Sequence, residues 1–168
     1  MVDYKALVKD DRIHASLYTD PRIFDDEMDR IFHCGWVFVG HESEVPRAGD
    51  FVTRRVGTEP VLMVRGREGE VAIFANRCMH RGTMVCAADR GSARAFTCPY
   101  HGWTYDLSGE LLGVPYPGGY AGFDKSAHGL TRVPRQESYR GFVFASLSPE
   151  GLSLAERLGR ATGLIDRS

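Results

Sequence analysis

Residues 76–103, NRCMHRGTMVCAADRGSARAFTCPYHGW, decide how the rest of the chain is read. They hold two short pairs, Cys78-Met79-His80 and Cys98-Pro99-Tyr100-His101, separated by seventeen residues. Each pair brings one thiolate and one imidazole to a tight turn, and two such turns facing one another make a Cys2His2 cage. The remaining sequence is read by how it supports that cage.

At 168 residues the chain suits one domain with a real core. Its 21 basic and 22 acidic residues leave a formal charge of -1, so no global field favours nucleic acid or an anionic membrane surface. No apolar run approaches the roughly 20 residues that span a bilayer, and MVDYKALVKDDR at the N-terminus has no signal-peptide apolar region. The chain reads as cytoplasmic. In that setting four cysteines point to metal rather than to disulfides. Cys34 and Cys86 stand beside apolar neighbours and are read as buried packing thiols outside the site. His14, His33, His41 and His128 are isolated in sequence and take surface or structural roles.

Working toward the N-terminus, residues 1 to 18 show no firm period. Asp20-Pro21 can start a helix, with Asp20 as N-cap and Pro21 at the first helical position. Ile23, Phe24, Met28, Ile31 and Phe32 then recur at helical spacing, which predicts a helix over about 21 to 33 with a buried apolar face. From Gly35 the runs WVFVG, DFVTRRV, PVLMVRG and EVAIFAN read as strands, with a hairpin loop at Arg67-Glu68-Gly69.

Beyond the cage, TYDLSGELL predicts a hairpin around Ser108-Gly109, and GVPYPGGYAGF is too rich in Gly and Pro for a helix. RVPRQESY and GFVFASL supply the last strands, the final one buried largely on both faces. Ser153 and Glu156 form a capping box that opens a short helix over about 153 to 160, with Leu154, Leu158, Ala161 and Ile165 on one face. The chain is thus mainly β: antiparallel sheets with two ligand-bearing loops, an N-terminal helix and a short C-terminal helix. It divides into an N-terminal segment 1–38, a metal domain 39–148 and a tail 149–168.

Thiolate and imidazole suit zinc as well as iron, so the ligand set alone leaves both open. Structural zinc sites tend to use Cys-Cys and His-His pairs. Here each pair is mixed, as a cluster with two chemically different irons requires. Cys78 and Cys98 then serve one iron, and His80 and His101 the other.

The pattern Cys-x-His, seventeen residues, Cys-x2-His, Gly-Trp resembles the Rieske 2Fe-2S motif. More narrowly, WVFVGHESEVPRAGDF, NRCMHRG and FTCPYHGWTYDLSGELLGVP resemble the N-terminal domain of the large (alpha) subunits of aromatic ring-hydroxylating dioxygenases, over nearly the whole chain. Rieske proteins of the respiratory type carry two extra cysteines and a serine around the cluster. Thr83, Tyr100 and Trp103 occupy those positions here, so the site resembles the oxygenase kind.

The resemblance implies a Rieske fold, and Cys78, His80, Cys98 and His101 as ligands of a 2Fe-2S cluster. Neutral imidazoles in place of two thiolates raise the potential into a window of roughly -150 to +300 mV, and the oxygenase type is expected in its lower part. It further implies one-electron transfer, with a ferredoxin or flavin reductase as donor. The acceptor would be a catalytic domain or a neighbouring alpha subunit in a homotrimer.

The family's mononuclear non-haem iron uses two His and a carboxylate, a pattern not found after residue 101, so that iron is not expected in this chain. On this reading the chain is a dioxygenase component in aromatic hydrocarbon catabolism that alone performs electron transfer only. A stand-alone Rieske ferredoxin and a zinc-stabilised module are the competing readings. Arg77, Arg81, Arg90 and Arg94 offer positive charge for an acidic donor, or form an ordinary solvated face.

Overall fold

The computed structural model describes residues 2–120 and 122–167. The chain opens with α1 (Tyr4–Leu7), a hairpin of β1 (Val8–Lys9) and β2 (Arg12–Ile13), and α2 (Ser16–Thr19). None of these was foreshadowed by a sequence period, because their side chains are largely exposed and carry no apolar pattern. α3 (Pro21–Glu27) starts where expected: Arg22 N–H donates to Asp20 Oδ1 at 2.9 Å. It continues as a π-helical turn over Met28–Phe32.

The expected apolar face of this helix is only partly buried. Ile23 is buried, whereas Phe24 and Ile31 are exposed. The wider π turn accounts for part of this, since it breaks the 3.6-residue period that would have kept Ile23 and Ile31 on one face.

Three antiparallel sheets form the body. β4 (Asp50–Val56), β5 (Glu59–Arg65), β6 (Val71–Ala75) and β7 (Arg90–Ser92) make a four-stranded sheet in the order β6-β5-β4-β7. On one face of it lies a sheet of β11 (Arg135–Tyr139), β12 (Phe142–Ser146) and β3 (Val37–His41). On the other lies a small sheet of β8 (Phe96–Thr97), β9 (Thr104–Tyr105) and β10 (Leu111–Gly113).

Successive residues of a strand point to opposite faces, and the central sheet uses this to build two cores. Val52, Val61, Met63 and Ile73 pack with Val39, Val143 and Ala145 of the first flanking sheet. Phe51, Leu62, Val64, Ala72 and Phe74 pack with Phe96, Tyr105 and Leu111 of the second, and with Cys78, Cys98 and Trp103 in the loops beside it. That is why PVLMVRG reads as a continuous apolar run rather than an alternating one: the middle layer of a three-layer stack is buried on both faces.

β12 departs from the expectation of burial on both faces. Val143 and Ala145 are buried, but Phe142 and Phe144 lie half-buried on the outer face beside the exposed Phe38. β12 is central in a flanking sheet, so its outer face has no further layer above it.

The hairpins at residues 67–69 and 108–109 form as predicted, with Gly69 and Gly109 at positive φ. The Gly- and Pro-rich segment is a loop carrying a 3-10 turn, Pro117–Gly119, and a second such turn, Lys125–His128, follows it. The expectation for Ala121 within it lies outside the described residues. At the C-terminus the Ser153/Glu156 capping box opens α4 (Leu154–Leu158), followed by a 3-10 turn and α5 (Thr162–Ile165). The tail is fastened to the sheet: Tyr139 O–H and Arg140 Nε–H both bond the Asp166 carboxylate at 2.9–3.0 Å.

Candidate metal centre

Two loops project from the second core, and they are built alike. In the first, Cys78 N–H donates to Thr83 O at 2.8 Å and Gly82 N–H returns to Cys78 O at 2.8 Å. In the second, Cys98 N–H donates to Trp103 O at 2.8 Å and Gly102 N–H returns to Cys98 O at 3.0 Å. Gly82 and Gly102 both have φ of +72°, a backbone state that a side chain disfavours. The loops are thus two copies of one turn, each presenting a thiol at its start and an imidazole before its glycine.

The turns bring together the four residues singled out in the sequence. Cys78 and Cys98 are both buried and both free thiols. His80 Nδ1 and His101 Nδ1 approach to 3.1 Å with their rings inclined at 60°. Two nitrogens that each lie ~2.0–2.1 Å from one metal ion can stand no more than roughly 4 Å apart, so this pair fits a shared ion. Burial first, then the neighbouring His101 and Arg81, push the His80 imidazole below its ordinary pKa, leaving it neutral with a lone pair to give. Among the described residues, no three His, Cys, Asp or Glu side chains converge to hold one metal ion. The donors on hand are an imidazole pair in contact and two buried free thiols, the two kinds of ligand that a two-iron group with unlike irons takes.

Each histidine carries an aromatic ring on its outer face. Trp103, 3% exposed, stacks on His80 at 4.9 Å and 7°. Tyr100, 56% exposed, stacks on His101 at 3.8 Å and 24°. Trp103 is in turn enclosed by Tyr120, Phe123 and His128. Among the described residues its Nε1 is the one buried side-chain polar atom without a hydrogen-bond partner. The Gly/Pro-rich loop therefore serves as a cover over the His80 side of the centre, and His128, read as isolated, belongs to that cover.

Tyr105 was missed by the sequence reading. Its hydroxyl accepts the Met79 N–H at 3.1 Å and lies 3.2 Å from Cys78 Sγ. With the oxygen used as acceptor, the phenol proton is free to point at the sulfur. Burial, then the bond to Cys78, raises the Tyr105 pKa well above its ordinary value, so the proton stays in place. Only its position two residues after Trp103 in GWTY hinted at this role.

The other two cysteines depart from expectation in part. Cys34 is exposed, not buried, and its thiol donates to Asp29 O at 2.9 Å, because the π turn brings that carbonyl to the surface beside it. Cys86 is half-buried against the second core.

A family model for the Rieske [2Fe-2S] domain matches residues 35–131, more than half of the chain. The chain belongs to the Rieske [2Fe-2S] domain family. Membership in the Rieske family implies a 2Fe-2S cluster, and the thiol and imidazole pairs described above fit it.

Among curated relatives, the alpha subunit of an N,N-dimethyl phenylurea N-demethylase from Sphingobium sp. (strain YBL2) is 46% identical over 90% of this chain and 34% of the relative. The alpha subunit of biphenyl 2,3-dioxygenase from Rhodococcus jostii (strain RHA1) is 40% identical over 92% of this chain and 34% of the relative. Among solved structures, naphthalene 1,2-dioxygenase from Rhodococcus sp. bound to indole matches with a TM-score of 0.89 and 39% identity, over 97% of this chain and 38% of that one. This Rieske chain therefore spans about a third of the length of the relatives it matches. No helix among its described residues is long and apolar enough to cross a membrane.

Proposed function

We propose that this chain is the one-electron transfer domain of a Rieske-type aromatic ring-hydroxylating oxygenase alpha subunit. Cys78 and Cys98 hold one iron of the cluster, and His80 and His101 hold the other. The observation that carries the assignment is the 3.1 Å approach of the two Nδ1 atoms beside two buried thiols. When bound, a 2Fe-2S cluster supplies reversible one-electron redox chemistry at a potential raised by its two neutral ligands. The protein's own residues do the rest. Trp103 and its aromatic cover keep water from the His80 side, Tyr105 points its O–H at Cys78 Sγ without giving up the proton, and Gly82 and Gly102 let the two loops turn tightly.

The two histidine sides differ, which supports one direction of approach for a redox partner. His80 is closed off by buried Trp103, whereas His101 lies under exposed Tyr100. The His101 edge is the exit toward a catalytic domain or a neighbouring alpha subunit in a trimer. The donor is an acidic ferredoxin or a flavin reductase. Arg81, Arg90 and Arg94 are exposed and form no ion pair among the described residues, while Arg77 lies 3.9 Å from Glu59. Free positive charge around the loops suits an acidic donor, and such contacts act mainly on association rate. The relatives' names span an N-demethylase and a dioxygenase, so the same kind of domain serves different oxidations. We assign an aromatic substrate and place the oxidation outside residues 39–148, with 1–38 and 149–168 as flanking segments and a cytoplasmic location.

A stand-alone Rieske ferredoxin is the second reading. The length of the relatives and the pinning of Asp166 by Tyr139 and Arg140 favour the first. Iron, sulfide and zinc analysis of the purified chain, with a reductive titration, tests the assignment. Two irons, two sulfides and one electron per chain are expected, and stoichiometric zinc in a colourless protein would overturn it. Stopped-flow reduction by a ferredoxin should slow as salt rises, and a flat rate would remove the docking role of the arginines.

A further inference from the structure

We infer that Asn76 is a positioning residue for this centre: its carboxamide closes the base of the first ligand loop and so fixes where Cys78 and His80 stand. The inference rests on the ligand assignment above. The two loops share the same inner turn but not the same base. The second springs from a backbone ladder, Phe96 opposite Tyr105 and Thr97 opposite Thr104. The first has no such ladder, because β6 ends at Ala75 and the next strand begins at Arg90.

In its place stands one side chain. Asn76 Nδ2 donates to Cys86 O at 2.6 Å, and Asn76 Oδ1 accepts the N–H of Cys86 at 2.9 Å and of Val85 at 3.1 Å. The two bonds exchanged with Cys86 reproduce what a paired residue gives in an antiparallel ladder, since a carboxamide carries the same donor and acceptor as a peptide. The Asn76 backbone N–H donates to Pro60 O at 2.9 Å, which ties the base to β5. Asn76 is 2% exposed, so removing the carboxamide leaves the buried Val85 N–H and the half-buried N–H and C=O of Cys86 without their partner, a loss felt most where water is excluded. Aspartate keeps the acceptor for the Val85 and Cys86 N–H groups but loses the donor to Cys86 O, and alanine offers neither.

The consequence is specific to one loop. A slack base lets Cys78 and His80 wander relative to Cys98 and His101, whose own base is untouched. The test loads wild type, Asn76→Ala and Asn76→Asp with iron and sulfide. It then compares EPR line shape in the reduced state, iron release to a chelator and mass-spectrometric amide exchange.

For Asn76→Ala we expect broadened EPR features and amide exchange that quickens in residues 77–86 but not in 96–105. Iron release should quicken about tenfold, the change that roughly 1.4 kcal/mol produces. Asn76→Asp, which keeps the acceptor, should fall between it and wild type. Wild-type line shape and release rate in Asn76→Ala would overturn the inference while leaving the ligand assignment intact. A wild-type chain that takes up no such cluster would overturn both. Should Asn76→Ala fail to load, exchange in the unloaded chains decides: loosening confined to 77–86 supports the role, and uniform loosening overturns it.

Discussion

His80 and His101 face each other with their Nδ1 atoms 3.1 Å apart, and each carries a different aromatic ring on its back. Trp103, behind His80, is buried, whereas Tyr100, behind His101, is exposed. The pair is thus alike where the two rings meet and unlike on the sides that face away. The centre has one closed side and one open side.

Exchanging His101 for cysteine should preserve a cluster but change its kind. A third thiolate in place of one imidazole makes the group more negative and moves its potential toward that of all-cysteine ferredoxins, about -400 mV. Visible spectra and redox titration check this, and an unchanged potential would remove His101 from the ligand set. Cys78→Ser and Cys98→Ser should each abolish loading and loosen the loops, since binding and local folding are coupled.

Tyr105→Phe removes the hydroxyl that serves Cys78 Sγ and the Met79 N–H. A hydrogen bond to sulfur favours the more negative, reduced state, so the potential should fall. Leaving the Met79 amide unpaired should cost ~1–3 kcal/mol of stability. A redox titration and urea unfolding read the two effects separately, and a raised potential would contradict the donor role.

Trp103→Phe tests the orphaned indole nitrogen. Because Nε1 has no partner among the described residues, removing it forfeits no hydrogen bond, and an aromatic ring still covers His80. The variant should load normally with only a small fall in Tm. Trp103→Ala should instead cost ~3–5 kcal/mol as the cover collapses or leaves a cavity. Equal losses in both variants would mean that the indole N–H matters after all.

Asp50 governs part of the response to acid. It is buried at the start of β4; burial alone would raise its pKa, but hydrogen bonds from Ser92 and from the backbone and side chain of Arg47 hold it below the usual carboxylate range. A depressed folded value means the stabilisation is fully present above the unfolded value of about 3.9 and is lost as pH falls through the folded one. Wild-type Tm should therefore drop more steeply on acidification below about pH 4 than that of Asp50→Asn. Parallel curves would contradict this.

The proposed ligands, Cys78, His80, Cys98 and His101, stand out in the sequence because metal chemistry constrains residue type and spacing together. The strands were legible because Leu62, Met63 and Ile73 belong to a layer buried on both faces. What was not legible depends on contacts between segments. Tyr105 acts on Cys78 across two strands, and Asn76 acts on Cys86 across a loop. Neither pairing leaves a local period. The exposure of Phe24, Ile31 and Cys34 was misread for a related reason: apolar spacing shows that a face exists, and only packing decides whether anything covers it.

The most direct test of the central claim is pulsed EPR of the reduced, loaded chain grown with 15N-histidine. Two strongly coupled histidine nitrogens, reduced to one by His80→Cys or by His101→Cys, are the predicted result. A reduced chain that shows no histidine nitrogen coupling, or that gives no two-iron signal at all, would contradict it.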